Sequence, residues 1–423
     1  MASGPLSGVR VLEFTQIIAG PFACQNLSDM GAEVIKVEPP GGEPWRAFAE
    51  FMPKEAKYFQ SLNRGKQSLV LALEKPEAQE IVHRLVRDMD VVVVNYRPDV
   101  AARLNVDYET LSAIKPDLIY ADNTAFGRQG PWAHRPGYDL VVQAVSGVMA
   151  LEGKTRKDGA PDALRIPLAD YGTGLALAWG VTAALYHREK TGEGQLVNAT
   201  LLNTALAFQS SIVFDLPAAD SMTHARMERV HQLKESGAEW TDIVEAYDAF
   251  AIIGIGNIYY RTYRTSDGAV TVAALSASLW EKVRRAVGTD FLGPADPNYN
   301  PLDEEWRAFA ESKVAEVEET MLSKTTDEWL EILEREGVPC GPVNFPEDMI
   351  DDPQVQANGM IVNLEHDLSG PQRQVGPLLR MSKTPLEAQG ASPPLGRDTD
   401  AVLGAGGYSA DEIASLREQG IIA

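Results

Sequence analysis

Four consecutive valines at positions 91–94 are the feature that most constrains the fold of this 423-residue chain. A short, continuous apolar run of this kind is typical of a strand that is buried on both faces of a sheet. Further strands are predicted at residues 9–14, 33–38, 68–73 and 118–121, with helices at 20–30 and 76–87. Strands that alternate with helices build parallel sheets. The sequence therefore predicts an α/β fold with a Rossmann-like, doubly wound parallel sheet.

The alternation of strands and helices ends near residue 210, and the sequence predicts four segments in all. Residues 1–210 are predicted to form the first part of a large domain, and residues 211–257 a charged helical insertion or linker. Residues 258–330 read as a small α+β domain, since an Asp-Gly turn at 267–268 lies between two strand patterns. Residues 331–423 are rich in Pro and Gly. They are predicted to return and complete the large domain.

Composition excludes several function classes. The formal net charge of −22 disfavours nucleic-acid binding and anionic membrane surfaces. Only two cysteines, Cys24 and Cys340, are present, which argues against a disulfide framework and suits a reducing compartment. The six histidines show no metal-ligand spacing, so no metal is expected. The N-terminus lacks a signal-peptide pattern, and no apolar run is long enough to span a bilayer. A cytoplasmic protein is predicted.

Asp170 is the principal candidate for a catalytic residue. It follows an apolar segment at 166–169 and precedes Gly172, Gly174 and a long uncharged helical stretch. This arrangement predicts a strand-to-helix turn, where helix N–H groups and the macrodipole favour an ionised carboxylate. Such a carboxylate can act as a nucleophile, but it can equally be an ordinary helix N-cap. The turn alone leaves both interpretations open.

Basic residues recur near predicted strand ends in the N-terminal part: Lys36, Arg46, Arg64, Lys66, Arg97 and Arg103. Doubly wound sheets bind ligands beyond the carboxyl ends of their strands, and Arg97 comes shortly after the valine strand. Because Arg and Lys bind phosphate, the group predicts a phosphorylated ligand, although each could singly be a solvated surface charge. The first strand lacks the Gly-x-Gly-x-x-Gly fingerprint, so a dinucleotide cofactor is not indicated.

Ten short segments, taken in order, resemble one family: residues 6–14, 19–21, 29–42, 63–66, 95–98, 135–139, 170–174, 190–195, 337–339 and 394–396. The chain resembles the class III CoA-transferases of the CaiB/BaiF type, which include formyl-CoA transferase and carnitine CoA-transferase. The resemblance implies an interlocked homodimer whose large domain is built from both chain ends. It implies acyl-CoA and a small carboxylic acid as substrates. A tightly bound cofactor is not expected.

The resemblance also assigns site residues. It implies that Asp170 is the catalytic nucleophile. It places CoA contacts at Gln16, Ile18, Ala19, Asn63, Lys66, Asn95, Tyr96, Arg97, Arg103 and Leu104. Tyr138, Gly254 and Gly256 fall where the family has substrate-binding or flap residues, although this chain carries fewer glycines in that flap.

Related α-methylacyl-CoA racemases carry a His-Asp pair where this chain has Tyr138 and Asp139. Proton abstraction beside a thioester needs a base that titrates near neutral pH, and tyrosine titrates near pH 10. The sequence therefore favours CoA transfer through an aspartyl-acyl anhydride and an aspartyl-CoA thioester. A racemase or epimerase, an intramolecular CoA transferase and a non-catalytic CoA-binding protein remain alternatives. The donor and acceptor acids are not identified by the sequence.

Overall fold

The computed structural model describes residues 4–249, 256–300 and 303–423. The chain divides into two compact units. The first unit comprises Met1–Asp215 and Pro353–Ala423, and the second comprises Leu216–Asp352. Among the described residues, no helix combines the length and the apolar character that a membrane crossing requires.

The first part of the first unit alternates strands and helices. Its strands are β1 (Arg10–Phe14), β2 (Glu33–Glu38), β3 (Glu50–Met52), β4 (Glu55–Ala56), β5 (Gln67–Val70), β6 (Val91–Val94), β7 (Ile119–Thr124) and β8 (Gln195–Thr200). Its helices are α1 (Ala19–Asp29), α2 (Pro44–Ala47), α3 (Lys57–Gln60), α4 (Pro76–Leu85), α5 (Pro98–Arg103), α6 (Tyr108–Ile114), α7 (Asp139–Val145), α8 (Val148–Glu152), α9 (Leu168–Thr191), α10 (Leu201–Phe208) and α11 (Ser210–Val213).

A six-stranded parallel sheet, ordered β5-β2-β1-β6-β7-β8, forms the centre of this unit. The predicted α/β fold with a parallel sheet is confirmed, and β8 is an edge strand that the sequence patterns did not reveal. The order is that of dinucleotide-binding folds, in which the direction of winding reverses beside the first strand. The reversal lies between β1 and β6. Ligands of such folds bind in the crevice at the carboxyl ends of these two strands.

Both faces of the sheet are buried, which explains the continuous apolar runs. Leu12 and Phe14 of β1 pack in one core cluster with helix α4, whereas Val11 packs in another cluster on the opposite face. Alternate residues of a strand point to opposite faces, so a strand covered on both sides must be apolar throughout. The four valines of β6 are divided between these two clusters in the same way.

The C-terminal segment completes the first unit. It contains α17 (Pro353–Ala357), β12 (Ile361–His366), β13 (Gly370–Val375), α18 (Thr399–Ala405) and α19 (Ala410–Glu418). The Asp398 carboxylate accepts a hydrogen bond from the Ser68 N–H at 2.8 Å, and the Thr399 hydroxyl accepts one from the Val70 N–H at 3.2 Å. These contacts cover the edge of β5, which would otherwise expose unpaired backbone groups.

The second unit contains α12 (Ser221–Glu235), α13 (Trp240–Ala249), β9 (Tyr260–Arg264), β10 (Ala269–Ala273), α14 (Ala277–Val287), α15 (Glu304–Met321), α16 (Thr326–Glu336) and β11 (Cys340–Pro342). Its antiparallel sheet has the order β11-β10-β9, and the predicted hairpin joins β9 to β10. Because β11 pairs with β10, residues 331–352 belong to this unit. The chain was predicted to return to the large domain at residue 331, but it returns to the first unit only at Pro353. The polar helical segment also groups with this unit from Leu216 onward.

Candidate active site

Asp170 lies in the first turn of α9, with Pro167 at the N-cap position. The predicted strand before it is absent, because residues 165–166 form a bend rather than a strand. The Asp170 side chain is mostly buried, with 8% of the residue exposed. Gly174 allows α9 to approach α1 closely, since a Cβ at this position would lie 2.8 Å from the Ala19 carbonyl oxygen. The predicted close approach at the glycines is confirmed.

Asp139, at the start of α7, caps the N-terminus of α9. Its Oδ2 accepts hydrogen bonds from the backbone N–H groups of Ala169 at 2.8 Å and Asp170 at 3.1 Å. The Gln143 amide donates to the other carboxylate oxygen of Asp139, and Gln143 Oε1 accepts from the Leu164 N–H at 2.9 Å. The capping role is therefore filled by a residue 31 positions away in sequence. The interpretation of Asp170 as an ordinary N-cap is wrong, and among the residues that the structure describes its carboxylate is free for other contacts.

The electrostatic environment of Asp170 differs from the expectation of a fully ionised carboxylate. Burial raises the pKa of Asp170 to about 7, and the neighbouring Asp139 carboxylate adds to this effect. In the described parts of the chain, no cationic side chain forms an ion pair with Asp170 to oppose the shift. A carboxylate with a raised pKa is partly protonated at neutral pH and is more basic, hence more reactive, once ionised.

Asp170 lines a first, polar cleft at the carboxyl ends of β1 and β6. The residues around this cleft are Gln16, Ile17, Asn95, Tyr96, Arg97, Pro98, Asn123, Thr124, Ala125, Phe126, Ala133, Arg135, Gly137, Tyr138, Asp170 and Leu201. The structure thus brings together six residues singled out in the sequence: Gln16, Asn95, Tyr96, Arg97, Tyr138 and Asp170. They surround the crevice in which doubly wound sheets bind ligands. Burial raises the pKa of Tyr96 to about 12, so its hydroxyl stays protonated at neutral pH.

The loop after β1 is held in a strained conformation beside Asp170. Ile17 has a φ of 73°, a left-handed conformation that is unfavourable for a β-branched residue. Two partly buried contacts hold it: Glu43 Oε2 accepts from the Ile17 N–H at 2.8 Å, and the Asn95 amide pairs with both the N–H (3.0 Å) and the carbonyl (2.7 Å) of Gln16. Sequence reasoning missed Glu43 and Ile17, because neither residue has a distinctive local pattern.

Asp170 also lines a second, larger and more apolar cleft of about 560 Å³. Ile18, which the resemblance places in contact with CoA, lines this cleft together with Tyr138 and Asp139. One side is formed by Trp45, Phe48 and Tyr58, whose ring centroids lie 4.9 to 5.4 Å apart. Arg165 lies at this cleft as well. Asp170 is therefore accessible from a polar side and from an aromatic side.

Four of the six basic residues proposed for phosphate binding are instead internal ion pairs. Lys36 pairs with Glu13 and Glu43, and Lys66 with Glu13; Arg46 pairs with Glu38 and Glu55, and Arg64 with Asp29. All four cations are buried. Because each of these cations already has a buried counter-ion, phosphate binding by these four residues is not favoured.

The predicted CoA contacts Asn63 and Lys66 lie in the same buried region. The Lys66 ammonium donates to Asn63 Oδ1 at 2.8 Å and to the Pro21 carbonyl at 2.9 Å, in addition to Glu13. Both side chains lie outside the two clefts that contain Asp170. Their contacts hold the surrounding structure together, and a contact of either residue with CoA stays a prediction.

Other predicted site residues lie outside the two clefts. Ala19 is buried at the start of α1, Arg103 is exposed at the end of α5, and Leu104 packs against the main core. Gly256 belongs to the second unit, where it is buried with a φ of 70°. Gly254 lies outside the described residues, so a flap at 254–257 stays a prediction. Among the described residues, no group of three His, Cys, Asp or Glu side chains is placed to hold a metal ion.

Comparison with known proteins identifies the family. A model of CoA-transferase family III matches residues 6–399, nearly the whole chain. The chain belongs to CoA-transferase family III. It is an enzyme of the CoA-transferase class, as the resemblance of its motifs implied.

Curated relatives and solved structures agree with this assignment. A succinate–glutarate CoA-transferase from Agrobacterium fabrum is 35% identical over 94% of this chain and 95% of its own length. A formyl-CoA:oxalate CoA-transferase from Bradyrhizobium diazoefficiens is 31% identical over 99% of this chain and 97% of its own. A CaiB/BaiF family protein from Brucella suis has a similar structure, with a TM-score of 0.72 and 29% identity over 96% of this chain and 100% of its own.

For this CoA-transferase, the position of Asp139 predicts a shift in pH dependence. Asp139→Asn keeps the shape of the cap but removes the charge that raises the pKa of Asp170. If the ionised form of Asp170 reacts, the acidic limb of the pH–rate profile for kcat should move to lower pH. Measuring CoA exchange between pH 5 and pH 9 tests this. An acidic limb at the same pH in both proteins would contradict it.

Asp139→Ala serves as the companion variant. It leaves the N–H groups of Ala169 and Asp170 without their acceptor, and loss of such a cap costs about 1–2 kcal/mol. We therefore expect the alanine variant to lower the melting temperature, and the asparagine variant to lower it less. This pair separates the electrostatic effect of Asp139 from its structural effect.

Proposed function

We propose that this chain transfers CoA from an acyl-CoA donor to a carboxylic acid acceptor, with Asp170 as the covalent nucleophile. The observation that carries the proposal is the position of Asp170. Its mostly buried carboxylate, with a raised pKa, lies where a polar cleft and an apolar cleft meet. Such a carboxylate can receive CoA from one side and the acyl group from the other. The named relatives are CoA-transferases of succinate, glutarate and oxalate, which supports carboxylic acids as the substrate class.

The first half of the proposed reaction moves CoA onto the enzyme. A carboxylate oxygen of Asp170 attacks the thioester carbonyl of the donor and expels the CoA thiolate, which forms an aspartyl-acyl anhydride. The thiolate then attacks the aspartyl carbonyl and expels the donor acid as a carboxylate. Asp170 is left as a thioester of CoA. Dividing the exchange into two acyl transfers replaces one difficult step with two easier ones.

The second half repeats these steps in reverse. The acceptor carboxylate attacks the aspartyl thioester and expels the CoA thiolate, which forms a second anhydride. The thiolate attacks the carbonyl of the acceptor acyl group, so the new acyl-CoA leaves and the Asp170 carboxylate is restored. No net proton is gained or lost. Water must be excluded throughout, because the anhydride would otherwise hydrolyse, and the burial of Asp170 supports this requirement.

The backbone N–H groups of the first turn of α9 are poor candidates for stabilising the developing oxyanion. Those of Ala169 and Asp170 donate to Asp139, and that of Tyr171 donates to the Pro167 carbonyl. We therefore do not assign the oxyanion donors to this end of the helix. Gln16 lines the polar cleft and is held through its backbone by Asn95, so we propose its side-chain amide as a donor instead.

We further propose that the working unit is a homodimer, as the family resemblance implies. Leu175, Trp179 and Tyr186 recur along α9 and are 46%, 75% and 68% exposed in the single chain. Side chains spaced by four and seven residues lie along one face of a helix. An apolar face of this kind suits contact with a second copy. The expected interlocked arrangement is part of this proposal.

The experiment that tests the proposal is trapping of the acylated enzyme. The protein is incubated with an acyl-CoA, treated with hydroxylamine or borohydride, digested, and the peptides are mapped by mass spectrometry. We expect the modification at Asp170. Exchange of CoA between acids without any adduct at Asp170 would rule out the covalent mechanism.

The same incubations separate the alternatives. Incorporation of deuterium at the α-carbon without exchange of free acid would indicate a racemase or epimerase. Turnover of a single diacid thioester that never exchanges with labelled free acid would indicate intramolecular transfer. Binding of CoA with neither adduct nor exchange would indicate a non-catalytic homologue.

A further inference from the structure

Arg165 is an unpaired cation at the second, apolar cleft. Among the described residues, its guanidinium makes no hydrogen bond and no ion pair. Arg156, in the same stretch of chain, contrasts with it, because Arg156 lies near Asp158 at 3.7 Å. An exposed arginine that lines the same cleft as Asp170, without a partner among the described residues, is available to bind an anionic ligand.

The lining of the cleft provides a second unpaired donor. The indole N–H of Trp45 is buried and finds no hydrogen-bond partner within the part of the chain that the structure describes. A buried donor of this kind is costly to leave unsatisfied, and it is a natural contact for a ligand oxygen. The rings of Trp45, Phe48 and Tyr58 provide an apolar wall against which methylene groups can pack.

Neither carboxylate at this cleft is a suitable partner for Arg165. Asp139 is occupied by the N–H groups of Ala169 and Asp170 and by the Gln143 amide. Asp170 is the group assigned to react, and it forms a covalent bond during turnover. Arg165 is the one cationic residue among those that line the cleft. Arg165 is therefore available to an anion that the substrate brings.

We propose that the second cleft binds the acyl chain of dicarboxylic acids, and that Arg165 binds the carboxylate remote from the thioester. This inference rests on the proposed function, because it assumes that the acyl group approaches Asp170 from this cleft. One carboxyl of a diacid is consumed at Asp170 and carries no charge as a thioester. The other stays ionised at neutral pH and needs a cation, and a guanidinium can bind it with two parallel hydrogen bonds.

A monocarboxylic acyl group of equal length would fit the apolar wall but would leave Arg165 without a partner. Selectivity for diacids then arises because a diacid makes a charge-assisted contact with Arg165 and a monocarboxylic acid does not. Such contacts change binding by roughly 10- to 100-fold. Arg165 is thus assigned as a specificity-determining residue, whereas the chemistry itself belongs to Asp170.

The test compares matched four-carbon substrates. Exchange is measured between succinyl-CoA and ¹³C-labelled succinate, and between butyryl-CoA and ¹³C-labelled butyrate, for the wild type and for Arg165→Gln. We expect kcat/KM of the wild type to favour the succinyl pair. In Arg165→Gln, we expect a loss of roughly 10- to 100-fold for the succinyl pair and a change of less than about threefold for the butyryl pair.

Three further measurements complete the design. Arg165→Lys should retain part of the succinyl preference, since it keeps the charge but loses the paired geometry. Arg156→Ala removes a cation from the same stretch, away from the cleft lining, and should leave both rates unchanged. Binding of free CoA, measured by calorimetry, should be equal in the wild type and Arg165→Gln.

The outcomes distinguish the possible errors. Equal losses for both substrate pairs, or weaker CoA binding in Arg165→Gln, would overturn the inference and assign Arg165 to CoA instead. A wild type that prefers the butyryl pair would also overturn it. Absence of exchange with every acid would contradict the proposed function itself, whatever the state of Arg165.

Discussion

Replacement of Asp170 by asparagine is expected to lower kcat for CoA exchange by roughly 10⁴-fold or more, the size of effect seen when a covalent nucleophile is removed. The amide keeps the shape of the side chain but cannot form an anhydride. The rate is measured with labelled acid and its acyl-CoA, and Asp170→Ala should give the same loss. Exchange at more than about a tenth of the wild-type rate in both variants would contradict the assignment of Asp170 as the nucleophile.

The variant should remain folded, which makes the loss of activity interpretable. The pKa of Asp170 is raised in the folded protein, so ionisation of this residue destabilises the fold as the pH rises from about 4 to about 7. Asparagine does not ionise, so the variant does not lose stability in this way. The stability of Asp170→Asn relative to the wild type should therefore increase over this pH range and stay constant above it. Asp158→Asn, at an exposed position outside both clefts, should change neither activity nor stability.

Replacement of Glu13 by glutamine is expected to destabilise the first unit by about 3–5 kcal/mol, because it leaves the buried Lys66 ammonium without its counter-ion and Lys36 with Glu43 alone. Glu13 is fully buried between Lys36 and Lys66, whose ammonium groups lie 3.1 and 2.9 Å from its carboxylate oxygens. Burial alone would raise the pKa of Glu13, but the two lysines outweigh it and the pKa is lowered. Urea unfolding at pH 7 measures the effect as a lower midpoint.

Two variants control for this effect. Glu33→Gln removes a carboxylate that pairs with Arg10 at the surface, and such pairs contribute less than about 1 kcal/mol. The double variant Glu13→Gln with Lys66→Met should recover part of the lost stability, since it removes the unpaired ammonium as well. If Glu13→Gln and Glu33→Gln lower the free energy of unfolding by the same amount, the buried cluster of Glu13, Lys36 and Lys66 does not have the stabilising role assigned to it.

The stabilising role of Glu13 should also disappear on acidification. A carboxylate whose pKa is lowered by folding stabilises the protein above its ordinary pKa, about 4.3 for glutamate, and this stabilisation is lost as the pH falls. The difference in free energy of unfolding between the wild type and Glu13→Gln should therefore narrow below pH 4.

The buried cluster of Glu13, Lys36 and Lys66 is also linked to the active site. Lys36 contacts Glu43, which holds the strained Ile17 beside Asp170.

Local pattern was a reliable guide where one kind of interaction dominates. The valine run predicted a strand buried on both faces, and β6 is that strand, because only apolar residues fit between two layers of helices. The hairpin at Asp267-Gly268 was found for a similar reason, since its turn chemistry is local. The edge strand β8 was missed, because its partly exposed residues show no clear alternation.

The boundary of the small unit could not be placed from pattern alone. The strand β11 contains glycine and proline and resembles a loop, and only its pairing with β10 assigns it to the second unit. Arg165 went unnoticed for a related reason. Nothing in its neighbours marks it as unpaired, and its significance comes from the cleft that it shares with Asp170.

The sequence by itself determined the parallel α/β architecture, the family and the candidate nucleophile, since these depend on the order of apolar runs and short motifs. Only the tertiary structure decided what the charged residues do. Lys66 meets Glu13 across 53 positions, and Asp139 caps the helix of Asp170 across 31. The energy of a charge depends on its burial and on its nearest partner. Both are properties of the folded chain, so a cation that looks like a ligand site in sequence can be a buried ion pair.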